Sequence, residues 1–180
     1  KKYPRILIVA GSQVFENTAS LHADYHIVGY GETAMLKLLR GEDLKYTTTF
    51  SNGKNKKTVF ALHDYPAFPM RDLSIDYTEN DYINENETLT LECSRGCIFR
   101  CSFCSYPILG VRDDHTVDAE IFSDNLKRNY DKWGVTNYNL ADETFNDYPE
   151  KIRKYADVVE KLPFEVNFGG YIRADLMTNK

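Results

Sequence analysis

The first fifty residues place short apolar runs between turn residues. Residues 5–10 form a continuous apolar run typical of a parallel strand covered on both faces, and residues 24–28 predict a second strand. The turn at residues 29–31 leads into a predicted helix over residues 32–40, which Gly41 ends. Its expected apolar stripe comprises Met35, Leu36, Leu38 and Leu39. Two strands and a helix in this order predict part of an open α/β sheet.

A hairpin and an extended segment come next. Residues 46–50 and 57–61 flank Asn52-Gly53, a dipeptide that favours a β-hairpin turn. Pro66, Pro69 and an acidic, tyrosine-rich run then predict an extended crossing instead of a helix. The predicted organisation is a first domain over residues 1–50, a linker with a hairpin over 51–86 and a second domain over 87–180.

The second domain alternates strands with amphipathic helices. Residues 88–92 predict its first strand, and Thr116 is the expected cap of the helix that follows and ends at Gly134. The apolar face of this helix is expected to comprise Val117, Ile121, Phe122, Leu126, Tyr130 and Trp133. Residues 135–140 predict the second strand.

A further helix and strand complete the pattern. Asp147 is the expected cap of the second helix, with Pro149 in its first turn. Its inward side chains are predicted to be Ile152, Tyr155, Ala156, Val159 and Leu162. Residues 164–168 predict a third strand. Strand–helix repeats of this kind predict a parallel (β/α) arrangement.

The cysteines carry the clearest chemical signal. All four lie between residues 93 and 104, and Cys97, Cys101 and Cys104 have the spacing C-x3-C-x2-C. Three thiolates on one short loop can hold three irons of a [4Fe–4S] cluster and leave the fourth iron open to another ligand. Cys93 is expected to be a small buried side chain at the end of a strand.

Three other interpretations of these cysteines are open. Structural zinc usually needs a second pair of ligands, and the four histidines are not spaced to supply one. A disulfide framework needs an oxidising compartment. If Cys93 were a fourth ligand, the spacing C-x3-C-x3-C-x2-C would saturate the cluster and indicate a non-catalytic electron-transfer module.

The longer segment, Glu92-Cys-Ser-Arg-Gly-Cys97-Ile-Phe-Arg-Cys101-Ser-Phe-Cys104, resembles the radical S-adenosylmethionine (SAM) superfamily. It is similar to the branch with an N-terminal cobalamin-binding domain, and residues 1–50 resemble part of such a domain. The resemblance implies a partial Rossmann-like unit followed by the first half of a parallel (β/α) radical SAM barrel. It also implies an open iron that binds SAM and reductive cleavage of SAM to a 5′-deoxyadenosyl radical.

The resemblance also assigns candidate site residues. Phe103 is expected near the adenine of SAM, and Asp142 or Glu143 is expected to receive its amino group, although both could simply cap the next turn. Arg173 could pair with a carboxylate of SAM or substrate, or with Asp142 or Asp175. Cobalamin is a possible cofactor, but we interpret His26 in Asp24-x-His26-x-x-Gly29 as a strand histidine instead of a cobalt ligand.

Composition limits the classes of partner and the cellular compartment that we expect. The net charge of −5 gives no signal of a nucleic-acid-binding face, and no apolar run reaches the ~18 residues of a membrane span. A thiolate-held cluster needs a reducing compartment, so we expect a cytoplasmic protein whose partner is a reductant such as flavodoxin or ferredoxin. The two incomplete domains suggest a fragment. The residues give no indication of the substrate or of the particular radical reaction.

Overall fold

The computed structural model describes residues 6–11, 23–51, 54–61, 75–84, 86–104 and 115–177. The chain divides into two compact units. The first comprises residues 1–68 and 100–111, and the second comprises residues 69–99 and 112–180. The cysteine segment is therefore shared between the units, because the division falls between Phe99 and Arg100.

The first unit contains a four-stranded sheet and one helix. In spatial order the strands are β1, β2, β4 and β3, with β2 parallel to both neighbours and β3 antiparallel to β4. The elements are β1 (Val9–Ala10), β2 (Tyr25–Val28), α1 (Glu32–Leu39), β3 (Thr47–Ser51) and β4 (Lys54–Phe60). The sheet confirms the predicted α/β character of this part of the chain.

The hairpin lies in this sheet. β3 and β4 pair antiparallel as predicted, but β4 also pairs in parallel with β2 along its length. Residues 54–60 are therefore an inner strand of the first sheet and not part of a linker. The other predicted domain limits, at residues 50 and 86, stay a prediction.

Two details of the first unit differ from the prediction. The strand over residues 5–10 is limited to β1 within the described residues, and Ile6, Leu7 and Ile8 are exposed. In α1 the buried side chain is Ala34, with Leu38 packed beside it, whereas Leu36 and Leu39 are exposed. Ala34 and Leu38 therefore face the core of the first unit, whereas two residues of the predicted stripe, Leu36 and Leu39, do not.

The second unit contains two βαβ units. β5, β8 and β9 form a parallel sheet in that order, and β6 pairs antiparallel with β7. The elements are β5 (Thr88–Leu91), β6 (Ser94–Arg95), β7 (His115–Thr116), α2 (Ala119–Trp133), β8 (Asn137–Leu140), α3 (Pro149–Val159) and β9 (Asn167–Gly170). Three consecutive parallel strands confirm the parallel arrangement but are common to open sheets and barrels.

The core of the second unit lies between the sheet and its two helices. Leu89 and Leu91 of β5 and Tyr138 and Leu140 of β8 pack with Phe122, Leu126 and Tyr155 of the helices, and Cys93 and Val135 complete the buried cluster. Several partly buried apolar side chains surround it, including Trp133 and Val159. The apolar faces predicted for α2 and α3 are therefore largely confirmed, except that Tyr130 and Ala156 are exposed.

Several element boundaries in the second unit differ from the predicted ones, because tertiary contacts compete with the local sequence signals. Thr116 lies in β7, paired with Ser94, so α2 begins after Asp118 and not at Thr116. Tyr148 occupies the N-cap position of α3 instead of Asp147. The third strand, β9, begins at Asn167, later than the predicted range of residues 164–168. The Phe164 ring before it stacks on Tyr130 at a centroid distance of 3.8 Å.

A tyrosine side chain satisfies the outer edge of β5. The Tyr77 hydroxyl donates to the carbonyl oxygen of Thr90 and accepts from its N–H, both at 2.9 Å. The phenol thus takes the place of a neighbouring strand at this position. An edge strand otherwise presents unpaired backbone groups.

We expect Tyr77→Phe to destabilise the second unit by about 1–2 kcal/mol, because both backbone groups of Thr90 lose their partner. Urea unfolding monitored by circular dichroism would measure this loss. Tyr82→Phe is the matched control, since Tyr82 is 83% exposed and should leave stability unchanged. Equal stability of the two variants would contradict the assigned role of Tyr77.

The imidazole of His26 is a buried polar group in the first unit. It lies in β2, is 5% exposed, and neither ring nitrogen has a hydrogen-bond partner among the described residues. Burial, and secondarily the charge of Lys56, lowers the pKa of His26 below its ordinary value of 6.5. His26 therefore takes up a proton at a lower pH in the native protein than in the unfolded chain, where its pKa is 6.5.

Stability should consequently be complete above pH 6.5 and fall as the pH drops below it, by up to about 1.4 kcal/mol per pH unit until the native pKa is reached. Chemical unfolding at a series of pH values would measure this slope. His26→Leu should flatten it, because the other titrating groups are unchanged. A slope that is the same in both proteins would contradict this assignment.

Candidate active site

The candidate site lies at the carboxyl edge of the parallel sheet in the second unit. The segment after β5 leads to Cys97, the segment after β8 carries Asp142, Glu143 and Thr144, and the segment after β9 carries Arg173. Parallel strands bring the loops at their carboxyl ends to one edge, where α/β enzymes of both open and barrel form build their sites.

Cys93 is withdrawn into the core. Its side chain is 0% exposed, and its carbonyl oxygen accepts from the Val117 N–H at 2.8 Å and from the Tyr155 hydroxyl at 3.1 Å. Burial, together with the negative charge of Asp142, raises the pKa of the Cys93 thiol far above its ordinary value. A thiol held in its protonated form is a poor metal ligand, so a cluster saturated by four cysteines is not favoured.

Asp142 is also fully buried. One of its carboxylate oxygens accepts from the N–H of Cys93 at 3.2 Å, and the other accepts from the Ser94 hydroxyl. Burial raises the pKa of Asp142, while these two hydrogen bonds and the charge of Lys151 oppose that shift. The carboxylate is thus directed at the β5 segment.

Lys151 of α3 is buried beneath this carboxylate. Its ammonium forms an ion pair with Asp147, one helical turn earlier, and lies 3.3 Å from the Ser94 hydroxyl oxygen. The side chains of Lys151 and Asp147 are each 3% exposed. Asp147 therefore has a charge partner as well as its bond from the N–H of Tyr148, so it does more than mark the start of a helix.

Cys97 contacts the segment after β8. Its sulfur lies 3.9 Å from the Thr144 hydroxyl oxygen, and that hydroxyl donates to the carbonyl oxygen of Glu143 at 2.7 Å. Cys97 and Glu143 are both partly exposed. The structure therefore brings the first cysteine of the motif beside Thr144, the residue that follows the second predicted carboxylate.

Cys101, Phe103 and Cys104 belong to the first unit. The N–H of Cys104 donates to the carbonyl oxygen of Cys101 at 3.1 Å, both thiols are partly exposed, and Phe103 is 90% exposed. All four cysteines are free of disulfides. Across the described ranges, no group of three or more His, Cys, Asp or Glu side chains is close enough to hold a metal ion.

Arg173 pairs with Asp175 and not with Asp142. Its guanidinium lies 2.7 Å from the Asp175 carboxylate and 4.1 Å from the centroid of the Phe99 ring. Its backbone N–H donates to the Asn146 side-chain oxygen at 2.8 Å, and the Asn146 amide donates back to its carbonyl oxygen at 2.9 Å. These two hydrogen bonds to Asn146 hold the segment after β9 against the segment after β8.

Gly170 allows this close approach. A Cβ on Gly170 would lie 3.1 Å from the Cβ of Leu140 at the end of β8, tighter than ordinary packing. The Phe145 N–H then donates to the Tyr171 carbonyl oxygen at 2.9 Å. Close packing against Leu140 therefore explains the glycine at position 170.

The sequence analysis did not identify Ser94, Thr144, Asn146 or Lys151. Only Lys151 left a readable signal, because it follows Asp147 by four residues at the start of the predicted second helix. Their pairing is expected on an exposed helix surface, however, and nothing in the spacing indicates that both side chains are buried.

The fold is mixed α/β with parallel strands in both units. No family model and no curated protein matches the chain. Among solved structures, the cobalamin-dependent S-adenosylmethionine radical enzyme OxsB with aqua-cobalamin bound matches 90% of this chain at a TM-score of 0.53 and 20% identity. The same enzyme with both aqua-cobalamin and S-adenosylmethionine bound matches equally.

The radical S-adenosylmethionine methyltransferase TsrM from Kitasatospora setae, with cobalamin and a [4Fe-4S] cluster bound, matches 76% of the chain at a TM-score of 0.44 and 14% identity. The chain spans 25% of OxsB and 29% of TsrM. At 20% identity, the likeness to OxsB concerns the fold alone. Within the described part of the chain, no helix has the length and apolar character needed to cross a membrane.

The difference in burial between Cys93 and the other three cysteines leads to a direct prediction. Iodoacetamide should modify Cys97, Cys101 and Cys104 in the native, metal-free chain at least about tenfold faster than Cys93, because alkylation needs an accessible thiolate. Peptide mass spectrometry over a time course would measure the four rates. Denaturation should remove the protection of Cys93. Rapid modification of Cys93 in the folded protein would contradict its assignment as a core residue.

Proposed function

We propose that this chain is part of a radical SAM enzyme in which Cys97, Cys101 and Cys104 hold a [4Fe–4S] cluster. The observation that carries the proposal is the difference among the four cysteines. Three partly exposed thiols have the C-x3-C-x2-C spacing, while Cys93 is buried and protonated. This donor set fits a cluster with one open iron, and the first of the three ligands follows the carboxyl end of a parallel strand.

When bound, the cluster supplies the electron that cleaves SAM reductively. Of the two adjacent carboxylates, we assign the SAM ammonium to Glu143, because both oxygens of Asp142 already accept hydrogen bonds in the core. Arg173 supplies a positive charge for the carboxylate of SAM or substrate, with Phe99 supporting its guanidinium. Phe103 is assigned to the adenine from its place in the motif.

The proposal extends to the barrel and the partners. β9 forms one edge of the sheet among the described strands and its side chains are exposed, so a further parallel strand could pair there. A cytoplasmic flavodoxin or ferredoxin would supply the electron. Cobalamin is proposed only from the likeness of fold to OxsB, and the burial of His26 within β2 supports its interpretation as a strand histidine.

Anaerobic reconstitution of the chain with iron and sulfide, followed by electron paramagnetic resonance (EPR) of the reduced cluster, tests the proposal. We expect a cluster signal that changes when SAM is added, since SAM binds the open iron. Cys97→Ala should abolish the cluster because a ligand is lost. Cys93→Ala is the matched control and should keep both the cluster and its response to SAM.

Two outcomes would overturn the proposal. One is loss of the cluster in Cys93→Ala, which would indicate a fourth cysteine ligand and an electron-transfer module. The other is tetrahedral zinc bound in place of iron, which would indicate a structural metal site.

A further inference from the structure

Three buried side chains hold Cys93 and Ser94, which lie shortly after β5. The carboxylate of Asp142 accepts from the Cys93 N–H and the Ser94 hydroxyl. The Tyr155 hydroxyl shares its one proton between the carbonyl oxygens of Val117, at 2.8 Å, and Cys93, at 3.1 Å. Lys151, one turn before Tyr155 on α3, reaches the Ser94 hydroxyl oxygen. Cys93 is therefore held through its backbone and Ser94 through its side chain.

The hydrogen bonds among these groups run in one direction. The Lys151 ammonium can only donate, so the Ser94 oxygen accepts from it and the Ser94 hydroxyl donates onward to Asp142. The second oxygen of Asp142 accepts the backbone N–H of Cys93. Asp147 balances the charge of Lys151. The arrangement has a single hydrogen-bonding scheme that satisfies each of these contacts.

A buried ion pair often adds no net stability to a core, since apolar side chains of similar volume frequently stabilise the core equally well. Directional hydrogen bonds, in contrast, fix the position of the groups that they join. This set joins α3 and the end of β8 to the peptide that leads, three residues later, to Cys97. What it fixes is the direction in which the cysteine segment leaves the sheet.

We propose that Lys151, Ser94 and Asp142 form a positioning clamp that sets the path of the chain from β5 to Cys97, with Asp142 serving in this clamp and not as a ligand of SAM. The clamp deepens the proposed function, since its purpose rests on Cys97 being a cluster ligand. Its structural effect exists in the metal-free chain and can be measured there.

Ser94→Ala is the most direct test, because it removes the hydroxyl that joins Lys151 to Asp142 with little change in volume. Hydrogen–deuterium exchange of the metal-free chain should show about tenfold faster exchange in the peptide covering residues 91–97, with little change in peptides of α2. Ser94→Thr, which restores a hydroxyl, should return exchange toward the wild-type rate. Lys154→Met, on the exposed face of α3, is the matched control and should change nothing.

Lys151 is tested together with its partner, because removing it alone would leave the buried carboxylate of Asp147 unpaired. The double variant Asp147→Asn with Lys151→Met should show the same local increase in exchange over residues 91–97. After reconstitution, both Ser94→Ala and the double variant should give an EPR signal of the reduced cluster whose response to SAM differs from that of the wild type. A purely structural role would lower the yield of cluster without changing its signal.

The outcomes separate this inference from the proposed function. Unchanged exchange over residues 91–97 in Ser94→Ala, or an increase spread evenly over the second unit, would overturn the clamp. If the wild type takes up no SAM-responsive cluster, the proposed function fails while the exchange result still decides the clamp. If the wild type responds to SAM and both variants match it in exchange and in EPR, the clamp fails while the function stands.

Discussion

The burial of one carboxylate at the end of β8 constrains the arrangement of the second unit. An ionised carboxylate without partners is costly inside a protein, so Asp142 requires donors on every side that water cannot reach. The N–H of Cys93 and the hydroxyl of Ser94 supply them, and Lys151, which is ion-paired with Asp147, reaches the same Ser94 hydroxyl. Satisfying this group links the strand before the cysteine segment, the strand that follows and the helix packed behind both.

The segments after β8 and β9 are joined by a different means. Here the bonds are between backbone groups and the amide of Asn146, and Gly170 lets the two chains approach. The result is an edge on which Cys97, Thr144 and Arg173 belong to segments joined by hydrogen bonds and side-chain contacts. Ordered supporting contacts of this kind are what a binding site needs in order to hold a ligand in one geometry.

Fold and function rest on different grounds in this protein. The likeness to OxsB concerns a mixed α/β fold that covers a quarter of that enzyme, and such folds support many activities. The functional proposal depends instead on the chemistry of four cysteines, one of which the core keeps protonated. Close to these cysteines, the guanidinium of Arg95 forms an ion pair with Glu92.

The sequence by itself indicated the helices α1, α2 and α3, the longer strands and the candidate ligands, but not the short pair of strands β6 and β7. Period-two and helical patterns identified β2, β5, α1, α2 and α3, and the glycine at position 134, at a positive φ of 66°, ended α2 as expected. The cysteine spacing is likewise a local property of the chain. Tertiary structure alone decided which residues are buried together. It moved the start of α2 by pairing Thr116 with Ser94, placed β4 inside the first sheet, and withdrew Lys151, Asp147 and Asp142 from solvent. The physical reason is that charged side chains have the same local pattern whether they face water or each other, and only the packing of distant segments makes the second arrangement favourable.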